Sequence, residues 1–319
     1  LLAYSVDTNG SERYRLRIRD LEHGVDLEDD IPDLYYGVAW SADGTWLFYT
    51  RPDESVRPFQ VWRHRLGTRA ADDVLVHQED DDHFFLGVHA TRSGDHILLP
   101  SGSRTTSDVH WIPADEPEAA PRLIAPRVPG VEYEVDHLRD PAGDRWVILT
   151  NLDAPGFRVD TAPVGDSAPD RWEPLVPHRP GTRIADVDVL AGHVVCSERR
   201  NGLEHLRVIR LRDRDEHVIA MPDPVYTVAA GANPDYDTSV LRYHYASMVR
   251  PPIDIDYNLD SRTADVVKET EVPGYDPDAY VSERRWATAD DGAQVPISIV
   301  HRADTPIDGT APCLLYGYG

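Results

Sequence analysis

The 319-residue sequence has only two cysteines, two methionines and one lysine, Lys268. It also has no apolar run near the ~18 residues that a membrane-spanning helix needs, so no membrane partner is expected. Leu1–Tyr4 is too short for a signal h-region and has no basic flank. Cys196 and Cys313 each lie in an apolar, strand-like run. They are expected to be buried thiols rather than a disulfide, which suits a reducing compartment. Basic charge is scarce: 32 Lys and Arg stand against 56 Asp and Glu, a net charge of −24. That balance argues against a nucleic-acid partner, whose phosphates require a basic surface. It would steer basic ligands inward, although general surface acidity for solubility accounts for it more simply. None of the fourteen histidines stands at H-x-x-x-H or Cys/His spacing, so neither a metal site nor a cofactor is expected.

Glycine marks a repeat. SADGTWLFYT, TRSGDHILLP, DPAGDRWVILT and VLAGHVVCSE place Gly44, Gly94, Gly143 and Gly192 at spacings of 50, 49 and 49. Each glycine sits in a short turn before a β-rich run, and glycine supplies the positive φ that hairpin turns use. A fifth copy turns at Asn233-Pro234-Asp235, and LLAYSVD reads as the same strand in a first, incomplete copy. A second run follows each strand after a polar loop, as in Tyr14–Arg19, Phe59–His64 and His205–Leu211. One repeat is thus about four short strands in roughly fifty residues, the pattern of a β-propeller blade. No stretch sustains a helical period. The fold class expected is all-β: a propeller with about six blades present, followed by further strands.

Near Lys268 the pattern changes. KETEVPGYDPDAY is a polar crossing segment. SERRWATA and AQVPISIVHR then flank Asp290-Asp291-Gly292, a hairpin signal. Val295, Ile297 and Ile299 share one face of the second strand, and Gln294, Pro296 and Ser298 share the other. APCLLYGYG reads as a continuous apolar strand suited to a buried position in a sheet. Domain boundaries are expected at 1–270 for the propeller and 271–319 for a second, truncated domain. The chain starts at Leu1 and stops within an apolar run, so both ends are expected to be cuts in a longer protein.

Several strings carry a resemblance. They are Ser282-Glu283-Arg284, Trp286-Ala287, Asp291-Gly292, Val295-Pro296-Ile297-Ser298 and Leu314 to Gly319, with LLAYSVD, RIRDLEHG, WRHRLGT, YEVDH, SERRNGL and EVPGYDPDAY upstream. Together they resemble the prolyl oligopeptidase family of serine peptidases, most of all its oligopeptidase B branch. The resemblance implies a seven-bladed propeller covering the active site of an α/β-hydrolase domain, here one blade short at the start. It further implies a cytoplasmic enzyme that cleaves short basic peptides after Arg or Lys by acyl transfer, with the propeller as a size filter and the catalytic domain as its partner in cis. Oligomeric state is left open. The readings weighed against it are cleavage after proline and a free-standing propeller that binds a partner.

In an α/β-hydrolase the nucleophile sits on a G-x-S-x-G elbow, with the acid and the histidine after it. No such elbow occurs; GDSAP at Gly165–Pro169 ends in proline. The Ser, Asp and His of the triad are therefore expected beyond Gly319, and residues 1–319 alone are expected to be inactive. The resemblance assigns one catalytic role within the chain: Tyr318, the second tyrosine of YGYG, as an oxyanion-hole donor. Tyr316 is read as structural. Three further groups have ordinary structural readings. Glu79-Asp80-Asp81-Asp82 with His83 is a solvated loop, not a cation site. Glu198-Arg199-Arg200 is a blade-edge charge cluster, although it could face a peptide or a second domain. Asn9-Gly10-Ser11 is a hairpin turn.

Overall fold

In the computed structural model the described residues are 1–317. They form six antiparallel sheets in chain order and one separate hairpin. The sheets occupy residues 2–34, 38–78, 85–123, 133–176, 182–218 and 226–269, and the hairpin spans 280–302. The first sheet has three strands, in line with an incomplete first copy, and the others have four or five. The third has five because its opening strand is split into Phe85–Leu86 and His89–Ala90, both paired with His96–Gly102. Among the described residues no helix is long and apolar enough to cross a membrane.

The chain divides into two compact units. The first holds the first four sheets, and the second holds most of the fifth, the sixth and the hairpin. Within the first unit, successive sheets pack face to face, and strand alternation decides which residue meets which neighbour. In strand Trp46–Pro52, Leu47 and Tyr49 join Leu16, Ile18, Ile31 and Leu34 of the first sheet, while Phe48 points the other way to Ile97, Leu99 and Ile112 of the third. In strand His96–Gly102, Leu98 in turn meets Trp111, Tyr133 and Trp146. A strand buried on both faces reads as an unbroken apolar run, and that is how these segments stand in the sequence.

Three of the marker glycines behave as expected. Gly44, Gly94 and Gly143 take φ of 68°, 76° and 127°. Each donates its N–H to the residue three before it, at 2.9 Å in all three turns. Gly192 does not take a positive φ. Its turn is a two-residue link between Thr182–Leu190 and His193–Arg200, so the shared glycine there reflects a different loop.

The seam between the first two sheets also carries a polar clamp. His64 is wholly buried, with Nε2 2.9 Å from Asp29 Oδ1 and Nδ1 2.7 Å from Asp73 Oδ1. The Tyr49 hydroxyl donates to the other Asp73 oxygen at 2.7 Å, and the Gly67 N–H donates to Asp29 at 2.6 Å. Burial opposes the imidazolium charge, but the bonds to Asp73 and Asp29 outweigh it and raise the ring above its ordinary 6.5. The folded protein therefore holds this proton more tightly than the unfolded chain. The clamp's contribution is complete below about pH 6.5 and is lost as pH rises through the raised folded value. Denaturant midpoints measured upward from that pH should fall, and His64→Gln should flatten that part of the slope. A wild-type slope that survives His64→Gln unchanged would assign it to other groups.

Candidate functional site

The hairpin outside the repeats is the feature that six similar sheets do not account for. Strands Tyr280–Thr288 and Gln294–Arg302 pair in unbroken register, from Tyr280 opposite Arg302 to Thr288 opposite Gln294. The Asp-Gly turn forms where its sequence indicates, with Gly292 at φ 87° and the Ala293 N–H on Asp291 Oδ1 at 2.9 Å.

One hairpin face rests on the fifth sheet, within the second unit. The Asn201–Gly202 turn joins His193–Arg200 to Leu203–Arg210, and both turn residues have positive φ, 52° and 72°. That is the two-residue hairpin for which Asn-Gly is the preferred sequence. Arg284 reaches it: Nη2 donates to the Asn201 carbonyl at 2.8 Å and Nη1 donates to Ser298 Oγ at 2.9 Å. Its guanidinium lies 5.5 Å from the Trp286 ring centroid. Gly202 admits this approach, since a β-carbon there would stand 2.7 Å from Arg284 Nη2 and 3.4 Å from Pro296 Cγ. In the crossing segment, the Tyr275 hydroxyl donates to the Val249 carbonyl at 2.9 Å, and its ring stacks on Tyr280 at 5.3 Å. A hollow of about 660 Å³ lies beside it, walled by Pro251, Glu269, Glu271, Val272, Tyr275 and Pro277.

The docked face carries Ser282, Arg284, Trp286, Pro296, Ser298 and Val300. Val281, Val295 and Ile299 share the opposite face and are exposed. On that face Glu283 bonds His301 Nε2 at 3.2 Å and also pairs with Arg285. These two partners, His301 first, hold the Glu283 carboxyl below its usual range.

The apolar run after the hairpin departs from expectation. Residues 312–317 form no strand, Cys313 is exposed, and Leu314, Leu315 and Tyr316 are 92%, 87% and 86% exposed. A strand exists only through a ladder partner, and among the described residues the hairpin pairs with no third strand. Cys196 is buried as expected, and burial pushes its thiol up to about 12. Tyr318 lies outside the described residues.

Two of the charge clusters also differ from their surface readings. Glu79 is buried: it accepts from Ser101 Oγ at 2.6 Å and from Arg127, which also bonds Asp108 and lies 3.5 Å over the Phe84 ring. Asp81, Asp82 and His83 are exposed, as expected of a solvated loop, and form the one metal-compatible grouping among the described residues. Glu198 is likewise buried, paired with the buried Arg207 at 3.2 Å, whereas Arg199 and Arg200 are exposed. Asn9-Gly10-Ser11 is the turn it reads as, with Asp7 Oδ1 accepting from the N–H groups of Asn9 and Gly10.

Sequence reading also missed a Ser–His–Asp grouping in the first unit. Ser93 Oγ lies 2.9 Å from His137 Nδ1, and Asp95 is 3.5 Å from the same nitrogen. The separation of 44 in sequence between Ser93 and His137 hides it. It is unsuited to catalysis. His137 is wholly buried beside Trp146, burial lowers its proton affinity, and Arg139 holds Asp95 ionised. Ser93 Oγ is already engaged by Thr91 and the Asp95 N–H.

Known proteins resemble this arrangement across its length. The chain is 38% identical to dipeptidyl aminopeptidase BI of Pseudoxanthomonas mexicana and 33% identical to protease 2 of Moraxella lacunata, over 100% of this chain and 44% and 45% of those proteins. It therefore spans less than half the length of these relatives. Among solved structures, oligopeptidase B from Leishmania major superposes with a TM-score of 0.88 at 28% identity, covering 99% of this chain and 46% of that one. Oligopeptidase B from Trypanosoma brucei, solved in a closed form with covalently bound antipain, gives 0.86 at 32% identity, over 99% and 45%. The family described as the prolyl oligopeptidase N-terminal β-propeller domain matches residues 1–270, and the chain belongs to that family.

Proposed function

We propose that residues 1–270 are the gating propeller of a serine oligopeptidase and that residues 271–319 open its α/β-hydrolase domain. The observation that carries this reading is the hairpin. It follows the matched propeller, belongs to none of the six sheets, and leaves Val281, Val295 and Ile299 uncovered on one face. A propeller acting alone has no use for that face, whereas a sheet that continues from the hairpin would cover it.

The reaction in this reading is acyl transfer by a Ser-His-Asp triad that follows residue 319. The substrates are short peptides cut after Arg or Lys, and the propeller excludes folded proteins. The basic preference is what the oligopeptidase B resemblance implies, and the net charge of −24 suits it. A cytoplasmic location follows from the same resemblance. The relative named a dipeptidyl aminopeptidase favours a second reading, release of dipeptides from a free N-terminus. Tyr318 is the oxyanion donor, aimed at charge that develops only in the transition state.

The natural gene product that contains residues 1–319 decides this. It should hydrolyse fluorogenic peptides with Arg or Lys before the scissile bond, and a serine-directed inhibitor should stop it. Turnover confined to proline sites, or none at all, rejects the basic assignment. Requirement for an unblocked N-terminus selects the dipeptidyl aminopeptidase reading. Tyr318→Phe should lower kcat roughly a hundredfold with KM nearly unchanged. Residues 1–319 alone should show no turnover.

A further inference from the structure

The hairpin's seat on the fifth sheet differs in kind from the seams within the first unit. Those seams bury clusters of aliphatic and aromatic side chains, as at Phe48, Ile97, Leu99 and Ile112. Here one guanidinium bridges a backbone carbonyl on the sheet and a hydroxyl on the hairpin, at 2.8 and 2.9 Å. Its partners are a turn and the hairpin's second strand, where Pro296 and Ser298 face it, and it lies over the ring of Trp286 on its own strand. Water can replace the bond to Asn201 when the surfaces part, so such a contact separates at little cost, unlike an apolar seam. It is nonetheless shape-specific. Gly202 leaves room for Nη2, and Asn201 presents its carbonyl only because both turn residues take positive φ.

We propose that Arg284 and the Asn201–Gly202 turn form a reversible catch, in which Arg284 positions the hairpin, and the chain that follows it, for peptide hydrolysis. Arg284 contacts the Asn201 carbonyl, Ser298 and Trp286, and in this proposal it acts through the hairpin, as a positioning residue. The catalytic consequence rests on the reading of residues 271–319 as the start of a hydrolase domain. The catch itself rests only on the contacts described.

The test is a double-mutant cycle in the natural gene product that contains these residues. Arg284→Ala removes the bridging group. Gly202→Asn keeps a residue tolerant of positive φ but adds the β-carbon that displaces the guanidinium. Gly94→Asn is the control for the turn substitution, since its φ is 76° and a β-carbon there would meet nothing within 4 Å. Amide exchange across Tyr280–Thr288 should quicken roughly tenfold in Arg284→Ala and in Gly202→Asn, with the double variant no faster than either single one. On a short Arg-containing peptide, kcat should fall roughly tenfold with KM nearly unchanged, and Arg284→Lys should recover part of it by restoring one donor.

Unchanged exchange in Arg284→Ala, or additive effects in the double variant, overturns the catch. A raised KM at constant kcat overturns the positioning role, because it would mean that Arg284 binds substrate. If the wild-type protein hydrolyses no peptide, the proposed function fails while the exchange cycle still decides the catch.

Discussion

Replacing Arg207 with methionine should lower unfolding stability by about 3–5 kcal/mol, the loss expected when one partner of a buried ion pair is removed. Arg207 and Glu198 are 4% and 3% exposed and lie on adjacent strands of the fifth sheet. Nη1 donates to Glu198 Oε1 at 3.2 Å, and Nη2 contacts Glu216. Glu216 is 46% exposed and can resolvate, but Glu198 cannot. Cys196 reports the same surroundings, its thiol pushed up by burial first and by the Glu198 charge second. Arg207→Met therefore strands a carboxylate where its charge is poorly solvated. Glu198→Leu combined with Arg207→Met should recover most of the loss, because apolar groups of similar volume replace buried pairs at small cost. Urea titrations of the two single variants and the double would measure this. Single variants within about 1 kcal/mol of wild type, a limit on the order of one net hydrogen bond, would show that the site is wetter than its exposure indicates.

The comparable loss elsewhere belongs to Trp146. Its side chain is wholly buried among Leu98, Trp111, Tyr133, Ile148, Ala162 and Trp172. It meets His96 and Trp111 edge to face, at centroid distances of 4.9 and 5.3 Å. Trp146→Ala should cost about 3–5 kcal/mol, since strands held on both sides cannot collapse into the cavity. Trp146→Phe should cost far less. Trp146 Nε1 has no hydrogen-bond partner among the described residues, so phenylalanine keeps most of the packing and discards an unsatisfied donor. Thermal or denaturant unfolding of both variants separates the two contributions. Equal losses would show that a phenyl ring fills this site no better than a methyl group does.

These two sites were not equally visible in the sequence. Trp146 stands in the run RWVILT, which starts two positions after the marker Gly143, and an unbroken apolar run in a repeat already implies burial on both faces. Glu198 stands in SERRNGL, where three charges before an Asn-Gly turn read as surface. The strand does reach the surface at Arg199 and Arg200, and only the pairing of Glu198 with Arg207 carries one charge inward. Glu79 misled in the same way, because its partners Ser101 and Arg127 come from strands and loops 22 and 48 residues away. The Ser93, Asp95 and His137 grouping shows the converse, residues with a catalytic appearance brought together as packing.

The repeat period was legible residue by residue, as were the turns at Gly44, Gly94, Gly143, Asn201-Gly202 and Asp291-Gly292 and the alternation that sorts Val295, Ile297 and Ile299 from Pro296 and Ser298. Those features are local: a turn's φ and a strand's two faces depend on neighbours a few residues away. Which charges are buried was settled only by the folded chain, because that depends on partners far along it. The fold also settled that the hairpin docks by the face that holds Arg284 and Ser298, and that the run after it, lacking a ladder partner among the described residues, remains exposed. Burial belongs to the assembled surfaces, and alternation in a strand names two faces without saying which one will be covered.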